Sequence, residues 1–250
     1  MPNIRTANQS PIPILTYHQI AVSPPRGTGF RSLVVAPADF ARQMALLSLF
    51  GYRGLSLSAL MPYLRGELSG KVVGISFDDG YLNNLSHALP VLNRHGFSST
   101  CYFVSQQLGK TNQWDLAQGV VQAPLMNAVQ LREWCSGGQE VGAHTRHHVH
   151  LRALDGAACR DEVGGCKSEL EDLSGASVRH FCYPYGDFSP EQSELVHELG
   201  FESATTTQRS RCHAGEDMMR LPRVPVLRST ALALLWCKLA TAYEDRRRLT

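Results

Sequence analysis

The sequence has few of the features that mark exported, membrane-spanning or nucleic-acid-binding proteins. No stretch approaches the roughly 18 consecutive apolar residues of a membrane span, and the polar residues 1–10 lack the apolar core of a signal peptide. The 24 basic and 22 acidic side chains leave a formal charge of only +2, with no basic run apart from Arg246-Arg247-Arg248. We therefore expect a cytoplasmic protein with no transmembrane segment and a neutral or weakly charged partner, not nucleic acid.

The seven cysteines lack any C-x-x-C pair and are odd in number, which predicts buried thiols in a reducing compartment. A chain of 250 residues with 43% hydrophobic and 18% charged residues has ordinary globular composition. This length accommodates one large α/β domain or two small ones.

Strand-like and helix-like segments alternate from Ile12 onward without a long linker or internal repeat. The pattern predicts strands at 13–17, 72–77, 100–104, 140–143 and 178–183, and helices at 38–50, 81–95, 127–136, 155–173 and 190–199. This rhythm indicates parallel strands with crossover helices. Periodicity alone does not distinguish an open doubly wound sheet from a closed barrel.

Three polar clusters each follow one of the predicted strands. Asp78 and Asp79 follow the second strand, His144 and His148 follow the fourth, and Pro184-Tyr185-Gly186 follows the fifth. The carboxyl ends of parallel strands meet at one edge of the sheet, so these clusters are expected to lie together. Two carboxylates and a histidine pair in one place predict a hydrolytic metal site.

One carboxylate and two imidazoles, from Asp79, His144 and His148, suit a single zinc ion, with cobalt, nickel or iron(II) as alternatives. The sequence H-T-x-x-H lacks the glutamate of the H-E-x-x-H metalloproteases, so the base must come from elsewhere. Asp78 is the predicted base, because adjacent aspartates after a strand point in different directions. An iron(II) oxygenase also uses two histidines and a carboxylate, but its usual all-β scaffold does not fit the βα alternation.

Four further residues near these clusters have two readings each. His18 ends the first strand on the same face. It is interpreted either as a substrate or catalytic contact or as a structural histidine. Trp114 lies in the aperiodic loop 109–125 and either stacks on a sugar or packs within the loop. His147 and His150 flank the ligand pair and are interpreted as bystanders, with a ligand or supporting role as the alternative.

These motifs resemble those of the polysaccharide deacetylases, the nodulation-protein-B-like carbohydrate esterases. The match covers Ser76-Phe77-Asp78-Asp79-Gly80, then Gly142-Ala143-His144-Thr145-x-x-His148-x-x-Leu151, then Phe181-x-x-Pro184-Tyr185-Gly186, in order and spacing. Leu15-Thr16-Tyr17-His18-Gln19-Ile20 and Leu221-Pro222-Arg223-Val224 resemble the branch that includes the poly-N-acetylglucosamine deacetylases. The resemblance spans roughly residues 12 to 226. It implies a single-domain α/β fold, a distorted (β/α) barrel with about seven parallel strands.

The resemblance also implies an activity. The expected protein is a metal-dependent hydrolase that removes N-acetyl groups from an N-acetylated sugar, oligosaccharide or lipid-linked precursor. Asp78 would be the base, the backbone N–H of Tyr185 would hold the developing oxyanion, and Pro184 would support it. Two alternatives stay open: a glycan-binding or regulatory member that has lost catalysis, and a hydrolase of a non-sugar amide.

The sequence departs from the family pattern at two points. Many members carry an arginine in the third motif that braces the catalytic aspartate, but Cys182 occupies that position here. We predict that Arg223 supplies the missing cation by pairing with Asp78; the alternative is a surface arginine on a strand. The late catalytic histidine has no match either, since His213 stands in a loop-like context. The general acid is therefore unidentified.

Residues 1–11 are interpreted as an N-terminal extension, 12–229 as the catalytic domain and 230–250 as a C-terminal helix. The helix is predicted from Thr230 to Arg248. Its apolar stripe consists of Leu232, Leu235, Trp236 and Leu239. Such a stripe on a terminal helix normally packs on the core. The alternative is a weak membrane-surface contact through Trp236 and the three terminal arginines.

Overall fold

Short buried strands form a closed parallel barrel in the computed structural model, which describes residues 10–248. The strands are β1 (Ile14–Tyr17), β2 (Gln19–Ile20), β3 (Val34–Val35), β4 (Arg53–Leu55), β5 (Val72–Phe77), β6 (Thr100–Phe103), β7 (Glu140–Ala143), β8 (His180–Cys182), β9 (Ser203–Arg209) and β10 (Leu221–Pro225). The helices are α1 (Pro37–Leu49), α2 (Leu57–Leu64), α3 (Leu89–His95), α4 (Ala128–Ser136), α5 (Gly156–Arg160), α6 (Cys166–Ser174), α7 (Pro190–Glu198) and α8 (Leu232–Ala240).

Barrel closure comes from β1, which pairs in parallel with β5 on one side and with β10 on the other. The ring then runs through β9, β8, β7 and β6 back to β5. These seven strands make the distorted (β/α) barrel that was predicted. β4 pairs with the first half of β5 outside the ring, and β2 pairs with β3 in a separate two-stranded sheet.

The strands are nearly continuous apolar runs because helices cover the outer face and packed side chains fill the inner one. Every residue of β5 is buried, from Val72 to Phe77. Helix starts are set locally: Asn127 and Ser189 each form a capping box, with Gln130 and Gln192 respectively.

Two of the predicted helices contain a π-helical turn, at residues 84–88 and at residues 161–165. The first lies directly before α3, and the second joins α5 to α6. The predicted helix at 81–95 is wrong at its start, because Tyr81 forms a β-bridge with Leu125. Asn84 of the first turn and Glu162 of the second hydrogen-bond to the segments that follow β1 and β7, respectively.

The predicted C-terminal helix is too long, because α8 ends at Ala240 and does not continue to Arg248. Thr241 adopts an extended conformation, with φ −128° and ψ 169°. The chain then turns so that buried Glu244 pairs with Lys238 of α8 and with Arg209 of β9. The pair with Arg209, which lies 35 residues away in sequence, favours a turn where the local sequence would allow the helix to continue.

The apolar stripe of α8 packs on the barrel. Leu235 and Leu239 lie in the main core cluster, and the Trp236 ring packs against Phe50 with centroids 4.3 Å apart. Leu232 remains 38% exposed. Within residues 10–248, no helix is both long and apolar enough to cross a membrane.

All seven cysteines fall in the described part of the chain and are free thiols. Five of them are buried, as predicted. The prediction is wrong for Cys237, which is exposed on α8, and Cys135 is only half-buried. The residues of the predicted N-terminal extension before Ser10 lie outside the described residues.

Truncating Leu235 should destabilise the protein, because the side chain is fully buried in the core cluster. We expect Leu235→Ala to lower the free energy of unfolding by about 2–5 kcal/mol, measured by chemical denaturation. The matched control is Leu232→Ala on the same helix, which should lie within about 0.5 kcal/mol of wild type. Equal effects of the two substitutions would contradict the packing of α8.

Candidate active site

Side chains from the C-terminal ends of several strands line one cleft of about 510 Å³. The residues that carry its chemistry are His18, Asp78, Asp79, Asp115, His144, His148, Tyr185 and Arg223. His18 follows β1, the aspartates follow β5, His144 follows β7 and Arg223 lies on β10. The barrel therefore brings together residues that are far apart in sequence.

Asp79, His144 and His148 converge on one point. The Oδ1 atom of Asp79 lies 3.3 Å from Nε2 of His148 and 3.6 Å from Nε2 of His144. All three ligand atoms lie within 4.8 Å of one another. Nδ1 of His144 contacts the carbonyl oxygen of Cys182 at 2.7 Å, so this nitrogen donates and Nε2 is left as an acceptor facing Asp79. One carboxylate and two imidazole nitrogens fit a divalent cation.

The predicted pair between Asp78 and Arg223 is present. Nη1 of Arg223 donates to Oδ1 of Asp78 at 2.7 Å, and Nη2 donates to Oδ2 at 2.8 Å. Arg223 is 3% exposed, so its interpretation as a surface arginine is wrong. Its Nη2 also lies 3.2 Å from the sulfur of Cys182. The guanidinium therefore contacts the residue that replaces the arginine of the third motif.

An irregularity in the sheet helps to hold Arg223. The register between β9 and β10 shifts between Leu221 and Arg223, which pair with Thr205 and Arg209. The carbonyl oxygen of Thr206, inside this bulge, accepts a hydrogen bond from Nε of Arg223 at 2.9 Å. Bulges of this kind frequently direct side chains at active sites.

The carboxylates of the cleft have perturbed pKa values. Burial raises the pKa of Asp78, but the charge of Arg223 and then of His18 outweighs burial and leaves it below its usual range. Burial also raises the pKa of Asp79, and the hydrogen bond and charge of His148 bring it well below its usual value. Burial, assisted by the charge of Asp79, raises the pKa of Asp115 to about 6. Asp115 was not predicted from the sequence, because no motif marks it.

Four site residues have a left-handed backbone, with φ of 73° at Asp79, 65° at Thr145, 59° at His148 and 59° at Tyr185. This conformation costs roughly 1–2 kcal/mol for a residue with a Cβ atom. Such conformations cluster at functional sites, where the surrounding structure maintains them. Here the hydroxyl of Thr145 accepts the backbone N–H of His148 at 2.9 Å.

The loop after His144 is held by Glu162, from the π turn at 161–165. One carboxylate oxygen of Glu162 accepts the backbone N–H groups of Arg146 and His147, each at 3.0 Å. The other lies 2.6 Å from Nδ1 of His147. The His147 ring is thus bonded to Glu162 and not directed at Asp79. Glu162 was not predicted from the sequence, because its role depends on a helical irregularity.

The π turn at 84–88 supports the segment that follows β1. Asn84 is fully buried, and its Nδ2 donates to the carbonyl oxygen of His18 at 2.8 Å. Asn83, directly before this turn, accepts the backbone N–H of Ile20 at 3.1 Å. The segment that follows β1 is therefore fixed, and Nε2 of His18 lies 3.8 Å from Oδ2 of Asp78.

Aromatic rings surround His148. Trp114 stacks on it with centroids 4.6 Å apart and planes 19° apart, and the Tyr185 ring meets it edge-on at 4.6 Å. His150 stacks on the Tyr185 ring, with centroids 4.0 Å apart. Trp114 thus packs on a candidate ligand, while its use as a sugar platform stays a prediction. Pro184 is buried directly before Tyr185.

The fold and the site define a (β/α)-barrel protein with a possible metal-binding group at the C-terminal ends of its strands. Residues 65–204 match the family model described as "Polysaccharide deacetylase". YxkH of Bacillus subtilis is 26% identical over 225 residues, covering 89% of this chain and 74% of that protein. The poly-beta-1,6-N-acetyl-D-glucosamine N-deacetylase of Staphylococcus epidermidis is 25% identical over 203 residues, covering 77% and 68%.

Among solved structures, the Streptococcus pyogenes deacetylase PplD, in complex with acetate, superposes with a TM-score of 0.79. It is 21% identical, and the match covers 92% of this chain and 99% of that one. The chain belongs to the polysaccharide deacetylase family, a class of carbohydrate deacetylases that are hydrolases. The resemblance read from the three sequence motifs is confirmed.

Proposed function

We propose that this protein is a metal-dependent N-deacetylase acting on an N-acetylated sugar or polysaccharide precursor. The observation that carries the proposal is the buried Asp78, held by two hydrogen bonds from Arg223 beside the Asp79, His144 and His148 group. The name of the Staphylococcus epidermidis relative supports an N-acetylglucosamine polymer as the substrate class.

Asp79, His144 and His148 would hold the cation. Zinc suits this donor set, with cobalt, nickel or iron(II) as alternatives. When bound, such a cation supplies a Lewis acid that polarises the amide carbonyl and promotes ionisation of water. His144 is kept in the tautomer that this role requires by the Cys182 carbonyl.

Asp78 would take the proton of the attacking water as the new C–O bond forms. Arg223 orients the carboxylate and keeps it ionised. Burial raises the pKa of Asp78, but the charges of Arg223 and then His18 outweigh burial and leave it below its usual range. Once protonated, the Asp78 carboxyl would therefore release its proton readily. The backbone N–H of Tyr185 has no hydrogen-bond acceptor among the described residues, so it is free to stabilise the developing oxyanion.

We assign the missing general acid to His18. Three histidines line the cleft, and His144 and His148 both face Asp79. His18 instead lies 3.8 Å from Asp78, with 24% of its side chain exposed toward the cleft. His213, which was considered for the late catalytic histidine, instead pairs with Asp245 at 3.2 Å. His18 would protonate the leaving amine as the C–N bond breaks, giving acetate and a free amino sugar.

Acetate release tests the proposed function. The metal-loaded protein would be assayed with N-acetylglucosamine oligomers and with small N-acetyl amides of similar size. We expect acetate from the oligomers, loss of activity on chelation and recovery on adding zinc. Release from the small amides but not from the sugars would indicate a non-sugar amide hydrolase. Glycan binding without acetate release under any metal loading would indicate a member that has lost catalysis.

Removing Arg223 should weaken both folding and turnover. Breaking a buried ion pair leaves a buried charge uncompensated, so Arg223→Met is expected to cost about 3–5 kcal/mol of folding stability. Arg228→Met, on the exposed surface of the same segment, serves as the control and should change neither quantity. Chemical denaturation and acetate release measure the two effects.

A rescue experiment separates positioning of Asp78 from general stability. Cys182 lies 3.2 Å from the Arg223 guanidinium, so an arginine introduced there could reach Asp78 from β8. Cys182→Arg combined with Arg223→Ala is therefore expected to recover part of the turnover lost in Arg223→Ala alone. Wild-type turnover in a folded Arg223→Met protein would show that Arg223 does not position the base.

A further inference from the structure

A second groove, of about 730 Å³, opens beside the cleft. It is lined by Gly186, Phe188, Thr206, Thr207, Gln208, Arg209, Arg220, Arg247 and Arg248. Four of these are arginines, and no acidic side chain is among the described residues that line the groove. Thr206 and Thr207 also line the active-site cleft, so the two depressions are adjacent.

Two of the four arginines have strong carboxylate partners. Arg209 pairs with the buried Glu244 at 2.8 Å, and Arg248 pairs with Glu216. These ion pairs fix the C-terminal segment against β9 and the loop that follows it. Arg209 and Arg248 therefore have a structural explanation that requires no ligand.

Arg220 and Arg247 lack such an explanation. Nε of Arg220 lies 3.5 Å from Asp217, which is largely exposed, and its guanidinium lies over the Phe188 ring at 5.8 Å. Arg247 lies 3.8 Å above the Tyr243 ring and donates to the Tyr243 carbonyl, with no carboxylate partner within residues 10–248. Both guanidinium groups therefore keep donors for an anion.

Charge is also concentrated in this part of the chain. Residues 203–248 carry nine basic and four acidic side chains, a formal charge of +5 against +2 for the whole sequence. One of these basic groups, Arg223, is neutralised in the cleft by Asp78. Of the other basic groups, Arg209, Arg220, Arg247 and Arg248 line the groove, where they would attract anions.

We infer that this groove binds an anionic group, a phosphate or a carboxylate, on the saccharide whose N-acetylated sugar occupies the cleft. Guanidinium groups suit this role, because their planar donor fork matches both anions in a bidentate arrangement. The inference rests on the proposed function and narrows the substrate class. It also differs from the expectation of a neutral partner. That expectation rested on the small net charge of the whole sequence, which does not show how the charge is distributed over the surface.

The test compares three N-acetylglucosamine oligomers that differ only in the sugar next to the acetylated one: unmodified, phosphorylated or carboxylated. The metal-loaded wild-type protein should use the anionic oligomers with a kcat/KM about tenfold higher, chiefly through KM, since a charge-assisted contact contributes about 1.5 kcal/mol or more. The preference should shrink as salt is raised. The phosphate and carboxylate arms show which anion the groove accepts.

In Arg220→Met combined with Arg247→Met, the ratio of kcat/KM values for anionic and neutral oligomers should fall to about one. The double lysine variant keeps the charge and should retain part of the preference. Arg246→Met is the matched control: its side chain is exposed beside Arg247 but does not line the groove, so the ratio should stay at the wild-type value. An unchanged ratio in the double methionine variant would overturn the inference.

Binding of the same oligomers, measured by titration calorimetry, separates this inference from the proposed function. Tighter binding of the anionic oligomers without acetate release would remove the proposed function and keep the groove assignment. Equal acetate release and equal affinity for all three oligomers would keep the proposed function and remove the groove assignment.

Discussion

Alanine at Asp79, His144 or His148 is expected to remove the bound cation and acetate release together. Each substitution deletes one of three donor atoms that lie within 4.8 Å of one another, and a site with two protein ligands cannot hold the ion at ordinary concentrations. We expect purified variants to contain less than about a tenth of the wild-type metal, because even outer-shell changes cost 10–100-fold in affinity. Elemental analysis of purified protein measures this directly.

His147→Ala is the matched control, since it removes a histidine from the same loop. The backbone N–H groups of Arg146 and His147 would still bond to Glu162, so the loop should keep its position. This variant should retain the metal. Normal metal content in His148→Ala, or loss of metal in His147→Ala, would show that the ligand set is wrongly assigned.

Asp78→Asn should keep the cation and lose most of its turnover. The amide cannot accept the proton of the attacking water, and general-base catalysis typically contributes about 10²–10⁴-fold. We therefore expect kcat to fall within that range while the metal content stays near wild type. The substitution also leaves Arg223 without a charged partner, so its folding stability should fall as well.

The metal content of Asp78→Asn distinguishes a lost base from a disrupted site. A folded variant with full metal content and wild-type turnover would remove Asp78 from the mechanism. Comparison with Arg223→Met is informative because both variants break the same ion pair, but only Asp78→Asn removes the proton acceptor. Turnover should be lower in Asp78→Asn for that reason.

Local sequence predicted the elements whose apolar runs end at a glycine or at a charged residue. The strands at 72–77 and 140–143 have the bounds that were predicted, because each contains a buried, mostly apolar run that stops at a polar site residue. The chemistry of the neighbouring site was predictable for the same reason, since each cluster follows such a strand directly. Closure of the sheet was not predictable from periodicity, and came from the family resemblance.

The elements that were missed are stabilised by contacts distant in sequence. β9 reads SATTTQR, and Ser203, Thr205 and Thr206 are buried although the segment contains a single apolar residue, Ala204. α8 ends at Ala240 because Glu244 pairs with Arg209, which lies 35 residues away. Asp115 reaches the cleft from an aperiodic loop. Arg223 is also held by contacts distant in sequence, but its role was predicted. The cysteine at position 182 replaces the arginine expected there, so another cation had to pair with Asp78.

The two π turns make the site sensitive to changes in chain length. A π turn holds one residue more than the α-helical turn it replaces. Deleting Gly164 would allow residues 156–174 to form a regular helix. It would also rotate the residues before the deletion by about 100°, turning Glu162 away from the loop that carries His148. Homologues that lack this residue are therefore expected to lose the contacts of Glu162 with this loop.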